Sequence, residues 1–271
     1  MNAKLFVIAL ATVAAVNSAY AGGSTELVLA SEVEWEPLNP ARGENSPQAG
    51  TLWGDRKGTV PTGFLARFVD GFSSPPHIHN ITYRAVVISG SIHNDDPDAA
   101  GMWMPAGSFW TQPQGEVHIT AAKGAANVAL VEIDRGPYRV LPPEEAFDSG
   151  ERPINVDASN IVWVDPPGVT ISPDGPKVAY LWGNLQDGQS HGAFVKLPAG
   201  FTANIHSHAS TFRAVVISGR PRYLGEDPRA LEPGSYFGSQ EETVHQISSP
   251  AGEESVIYVR ADGKYEVVPA K

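Results

Sequence analysis

The sequence predicts an all-β fold in which one unit is used twice in tandem, and three observations carry that prediction. HIHNITYRAVVISG, from His77 to Gly90, recurs as HSHASTFRAVVISG from His206 to Gly219, with RAVVISG identical in both copies at a spacing of 129. Runs rich in β-branched and aromatic residues are short and are separated by turns at intervals of about 8–12 residues, the spacing of an antiparallel sandwich or barrel. The 27 glycines and 23 prolines supply those turns, and no stretch keeps a helical period beyond two turns.

The chain begins MNAKLFVIALATVAAVNSAYA, with Lys4, an apolar run from Leu5 to Val16, and Ala19-Tyr20-Ala21 as a small-x-small cleavage pattern. This predicts a secretory signal peptide over residues 1–21 and a periplasmic or secreted mature protein. The run is too short for a membrane-spanning helix, which needs about 20 apolar residues. There is no cysteine anywhere in the chain, which excludes a lipid-modified bacterial lipoprotein and disulfide stapling alike. With 19 basic against 30 acidic residues the formal net charge is −11. Nucleic acid and anionic lipid would repel such a chain. The expected partner is therefore a small-molecule ligand or substrate, with no nucleic acid, no membrane after signal cleavage, and a homodimer left open.

The mature length suits two domains of ordinary size, placed at 30–143 and 161–271 with a polar linker at 144–160. Leu52-Trp53-Gly54 matches Leu181-Trp182-Gly183, and Gly63 matches Gly192, at the offset of the histidines. After the shared Ser-Gly turn the offset falls to 127, so that His118 aligns with His245 and Tyr138 with Tyr265. Pro142 to Phe147 is the place for a short helix with proline at its first position.

Of eight histidines, six fall into two sets: His77, His79 and His118, and His206, His208 and His245. In an extended strand residues i and i+2 share a face, so each His-x-His pair can converge on one ion. The third histidine follows at a distance long enough for two or three strands. His93 and His191 have no counterpart and read as surface residues. Trp53 and Trp182 read as core anchors, and Arg84 and Arg213, of opposite strand parity to the histidines, as outward residues facing the other repeat. Of Phe109-Trp110 and Tyr236-Phe237, one ring in each pair should point inward.

Gly71-(five residues)-His77-Ile78-His79 and Gly107-(five residues)-Pro113-Gln114-Gly115-(two residues)-His118 resemble the two motifs of the cupin superfamily, and Gly200 to His208 repeats the first. The whole resembles a bicupin of the secreted, functionally uncharacterised type. The resemblance implies two tandem jelly-roll barrels, each holding one divalent metal: iron or zinc, with manganese, nickel or copper as further choices.

One departure faces the site. Cupins usually carry a glutamate four residues beyond the second histidine, where this chain has Tyr83 and, in the second repeat, Phe212. Tyr83 is thus the candidate catalytic residue beside the ligands. A replacement carboxylate would come from Glu226 or Asp227, or from Asp95 or Asp96 in the first repeat.

Three neutral imidazoles leave a metal's charge uncompensated and positions open, as in the cupin dioxygenases with three-histidine sites. The leading expectation is a non-haem-iron dioxygenase acting on a small carbonyl or aromatic compound. The alternative is a non-catalytic zinc-binding cupin that binds or senses a small ligand, similar to the cupin domain of some anti-sigma factors.

Overall fold

Strands dominate because β-branched and aromatic side chains alternate along the chain, and the computed structural model, which describes residues 24–167, 174–186, 188–225 and 227–270, has them in four antiparallel sheets. The predicted signal peptide and Glu226 lie outside the described residues. Among the described residues, helix is confined to 3-10 segments of three to six residues such as Pro143–Glu145, and no helix is long and apolar enough to cross a membrane.

The fold is two jelly-roll barrels. In the first, the long strands Tyr83–Asp95 and Ile119–Ile133 pair along their whole length, bend at register shifts near Ser89, and so contribute to both faces. Gly90 allows the bend, since its φ of 76° suits glycine and an added Cβ would lie 2.1 Å from the Asn127 side chain. The second barrel divides the same work between a sheet containing Thr211–Ser218 and Ser255–Ala261 and one containing Thr202–Ser207 and Thr243–Ser248.

The two barrels exchange their lead-in segments. Thr25–Val28, which precedes the first repeat, pairs with Tyr236–Gln240 of the second barrel. Ile154–Val156, inside the stretch read as a linker, pairs with Phe109–Gln112 of the first. Each barrel is thereby closed on one edge by a strand from the other repeat's beginning.

Three apolar clusters follow. One fills the first barrel around Phe64, Val87, Trp110 and Ile133. Another fills the second around Leu197, Phe212, Phe237 and Ile257. The third, with Trp53, Phe109, Phe194, Tyr236 and Tyr258, lies between the barrels and draws on both repeats. Alternation divides the aromatic pairs as expected: Trp110 and Phe237 face their barrel interiors, while Phe109 and Tyr236 face the other barrel. Each Trp-Gly pair is a close packing unit, since a Cβ on Gly63 would fall 2.0 Å from the Trp53 ring and one on Gly192 1.9 Å from the Trp182 ring.

Candidate metal centre

Pro75-Pro76 ends any regular strand before His77, and the backbone of His77 then pairs with that of His118 while Ile78–His79 pairs with Val140–Leu141. This brings the three imidazoles together at the floor of the first barrel. One nitrogen from each of His77, His79 and His118 lies within 4.8 Å of the others. The ring centroids are 5.0 Å apart for His77 and His79 and 4.3 Å for His77 and His118.

Backbone carbonyls decide which nitrogen is free. Nδ1 of His77 donates to Pro75 O at 2.9 Å, Nδ1 of His79 to Arg139 O at 3.0 Å, and Nδ1 of His118 to Glu116 O at 3.2 Å. A carbonyl only accepts, so each ring carries its proton on Nδ1 and presents an Nε2 lone pair. Nε2 of His118 is buried with no hydrogen-bond partner. Burial holds all three imidazoles neutral: it lowers His118 to about 3, helped by His77, and His79 falls well below the usual range. For His77 burial again leads, partly offset by the bond to Pro75 and reinforced by the nearby Arg42 charge. A neutral imidazole with its second nitrogen tied to a carbonyl is the usual state of a metal-ligating histidine, so these residues fit a divalent ion.

Tyr83 is buried beside them, its ring edge-on to His79 at 5.1 Å. Its hydroxyl turns away, donating to Asn94 Oδ1 at 2.9 Å and accepting from Trp110 Nε1 at 3.4 Å. Asn94 also accepts from Thr120 and donates to Gln112. Burial pushes the Tyr83 phenol up to about 12 against those hydrogen bonds. Tyr138, which sequence reasoning placed only as a repeat marker, stacks on His79 at 4.5 Å with its hydroxyl 3.3 Å from His79 Nε2.

Above this floor opens a cavity of about 810 Å³ lined by Phe64, Phe68, Phe72, Tyr83, Trp110 and Tyr138. Arg42, Arg56, Lys57 and Glu36 also line it. Arg56 and Lys57 both pair with Glu36, whereas Arg42 has no carboxylate partner among the described residues and lies 5.1 Å from the Phe72 ring centroid.

The second set of histidines does not assemble. His245 stands opposite Ile205, where His118 stands opposite His77. Ala203, Ile205 and Ser207 point into the barrel, His206 is half-exposed on the opposite face, and His208 is exposed, 3.5 Å from Glu242. His245 accepts or donates at both nitrogens, to Tyr223 Oη at 3.1 Å and Ser239 Oγ at 3.0 Å, and stacks on Phe212. A one-residue slip of a strand reverses every side chain, and the apolar set decides which face is buried. Phe201, Ala203 and Ile205 alternate with polar residues, so the signal was present in the sequence. In the first repeat the prolines interrupt the strand and leave the histidines free to turn inward.

Two further expectations are corrected. His93 and His191 are buried: His191 shares the inward face of its strand with Val195 and Leu197 and stacks on Tyr265, whereas His93, between the inward-facing Ile92 and Asn94, is covered on the other face by Met102 and Trp103, with Nδ1 bonded to Met102 O. Of the candidate carboxylates, the three among the described residues, Asp95, Asp96 and Asp227, do not join the histidines. Asp95 accepts from Asn155, Asp96 caps a turn at Asp98, and Asp227 is exposed beside Arg229. Among the described residues only His77, His79 and His118 form a cluster of metal-ligand type.

No curated relative matches the chain. Among solved structures it is similar to a Nostoc punctiforme protein provisionally named a dioxygenase, at 12% identity and a TM-score of 0.69, covering 94% of this chain and 90% of that one. It is also similar to salicylate 1,2-dioxygenase from Pseudoaminobacter salicylatoxidans, solved as an adduct with gentisate, at 11% identity and a TM-score of 0.59, covering 90% and 85%. An oxalate decarboxylase of Bacillus subtilis follows at 14% identity and a TM-score of 0.52, covering 90% and 78%. At such identities the likeness is one of fold, and the fold is that of the cupins. A family described as a domain of unknown function, DUF4437, matches residues 26–268, and the chain belongs to that family.

Proposed function

We infer that the protein is a periplasmic or secreted bicupin that binds one divalent metal at His77, His79 and His118 and acts as a dioxygenase on a small anionic aromatic or carbonyl compound. The observation that carries this reading is the triad itself: three neutral imidazoles, each with Nδ1 committed to a carbonyl, gathered at the base of an aromatic cavity. A ferrous ion held there would supply the Lewis acidity and redox chemistry that dioxygen chemistry requires.

The chain's own residues account for selectivity. Phe64, Phe68 and Phe72 keep water from the floor and offer faces to a flat substrate. Arg42, which lines the cavity and has no carboxylate partner among the described residues, is placed to take the substrate's carboxylate. Tyr83 stays a neutral phenol against the reacting position, its hydroxyl occupied by Asn94. Three histidines with no carboxylate beside them among the described residues also suit zinc with a small ligand at the open position, a ligand-binding module without catalysis.

Oxygen uptake decides between the two. Iron-reconstituted protein should consume dioxygen with salicylate- or gentisate-like acids. Metal-replete protein that binds such acids and takes up no oxygen would leave the ligand-binding reading.

A further inference from the structure

Among the described residues, Tyr138 is the partly buried polar side chain at the triad whose present partner a metal would remove. Among the described residues its hydroxyl has one hydrogen-bond partner, His79 Nε2, at 3.3 Å. Because His79 Nδ1 donates to Arg139 O, Nε2 must be the acceptor and the Tyr138 hydroxyl the donor. A metal ligated by that Nε2 takes the same lone pair. The hydroxyl, partly buried at the cavity wall and at hydrogen-bond distance from no other acceptor among the described residues, would then be a donor without a protein acceptor.

The position of the ring leaves the hydroxyl little freedom to turn away. Tyr138 stacks on His79 at 4.5 Å, packs edge-on against Phe64 at 5.4 Å, and faces Tyr83 at 6.1 Å. The neighbouring Arg139 and Asn80 fix its backbone, since Asn80 donates to Pro137 O and accepts from Arg139 N. Tyr83 cannot take its place, because the Tyr83 hydroxyl is held between Asn94 and Trp110. The hydroxyl of Tyr138 must find an acceptor where the ring already points, into the space that the three Nε2 atoms face.

We propose that Tyr138 is a ligand-positioning residue: when the triad holds a metal, its hydroxyl donates to the anionic atom that an incoming ligand brings to an open position beside His79. This rests on the metal reading above and adds to it a hydrogen-bond donor that selects oxygen or nitrogen anions over neutral ligands. The role needs no change of protonation in the phenol.

The test uses the full-length mature protein loaded with cobalt(II), with azide as the probe. Wild-type and Tyr138→Phe proteins are first compared for cobalt stoichiometry and for the cobalt ligand-field spectrum, and azide is then titrated by absorbance. The expected result is one cobalt per chain in both proteins, matching spectra before azide, and azide binding about tenfold weaker in the variant, the loss of one hydrogen bond to an anion. In the wild-type protein alone, the infrared stretch of bound azide should shift on transfer to D2O. Equal azide affinity in the two proteins, or no D2O shift, would overturn the proposal while leaving the metal reading intact. An absorption band from phenolate bound directly to iron(III), present in wild type and lost in Tyr138→Phe, would also overturn it, because the oxygen would then be a ligand. Failure of the wild-type protein to bind cobalt would overturn both readings together.

Discussion

The guanidinium of Arg84 lies 3.7 Å from the ring centroid of Trp182, and its counterpart Arg213 lies 5.3 Å from that of Trp53, so each repeat's arginine rests on the other repeat's tryptophan. This reciprocal pair marks a pseudo-twofold interface between the barrels. Beside it the symmetry is broken by charge. Arg84 pairs in the sheet with Glu132, and Arg213 with Arg260, so equivalent strand positions carry opposite signs. Glu132 and Arg260 meet at 3.4 Å, with Tyr258 donating to Glu132 at 2.7 Å and Asp134 accepting from Arg260 at 2.7 Å. Burial would raise Asp134, but Arg84 and Arg260 outweigh it and hold the carboxyl below its ordinary range.

Arg260→Met should therefore destabilise the protein by about 3–5 kcal/mol, because it strands the buried Glu132 without a cation. Removing both charges, as Glu132→Gln with Arg260→Met, should recover part of that loss. Denaturant unfolding of the single and double variants checks the sign and the coupling.

Metal content should be one ion per chain and not two. His118→Ala should abolish metal retention, whereas His206→Ala and His208→Ala together should leave it unchanged, since both point away from His245. Elemental analysis of the purified variants distinguishes these outcomes.

Arg42→Ala should weaken binding of a carboxylated aromatic such as a hydroxybenzoate about tenfold, and its neutral amide by less than twofold, because only the former uses the charge at the cavity mouth. Paired titrations of acid and amide read the difference directly.

Acid should destabilise the protein through its buried neutral histidines. Burial lowers His245 to about 4 from an unfolded value of 6.5, so the unfolded chain binds the extra proton first. Stability is full above pH 6.5 and is lost as pH falls toward 4, by about 3 kcal/mol for this group. His118, lowered to about 3, adds to the loss in metal-free protein. Unfolding of metal-free protein at pH 7 and pH 4.5 should show the drop, and bound metal should reduce it by occupying His118.

By itself the sequence determined the all-β fold, the twofold repeat and the candidate histidines, because these rest on local pattern. Identical RAVVISG strands, turn residues at regular intervals and His-x-His spacing each act within a few residues of chain. Only tertiary structure decided which histidines meet. His206 and His77 look alike in sequence, yet a single residue of register turns one outward, since burying Ile205 against Val267 and His245 outweighs presenting a histidine to an apolar interior. The exchange of Thr25–Val28 and Ile154–Val156 between barrels was equally hidden, because a strand's partner is chosen by the edge left open in the assembled fold. The place of Tyr138 over His79 followed from the same cause: the closing segment of the first repeat lies beside Ile78–His79 only once the barrel is complete.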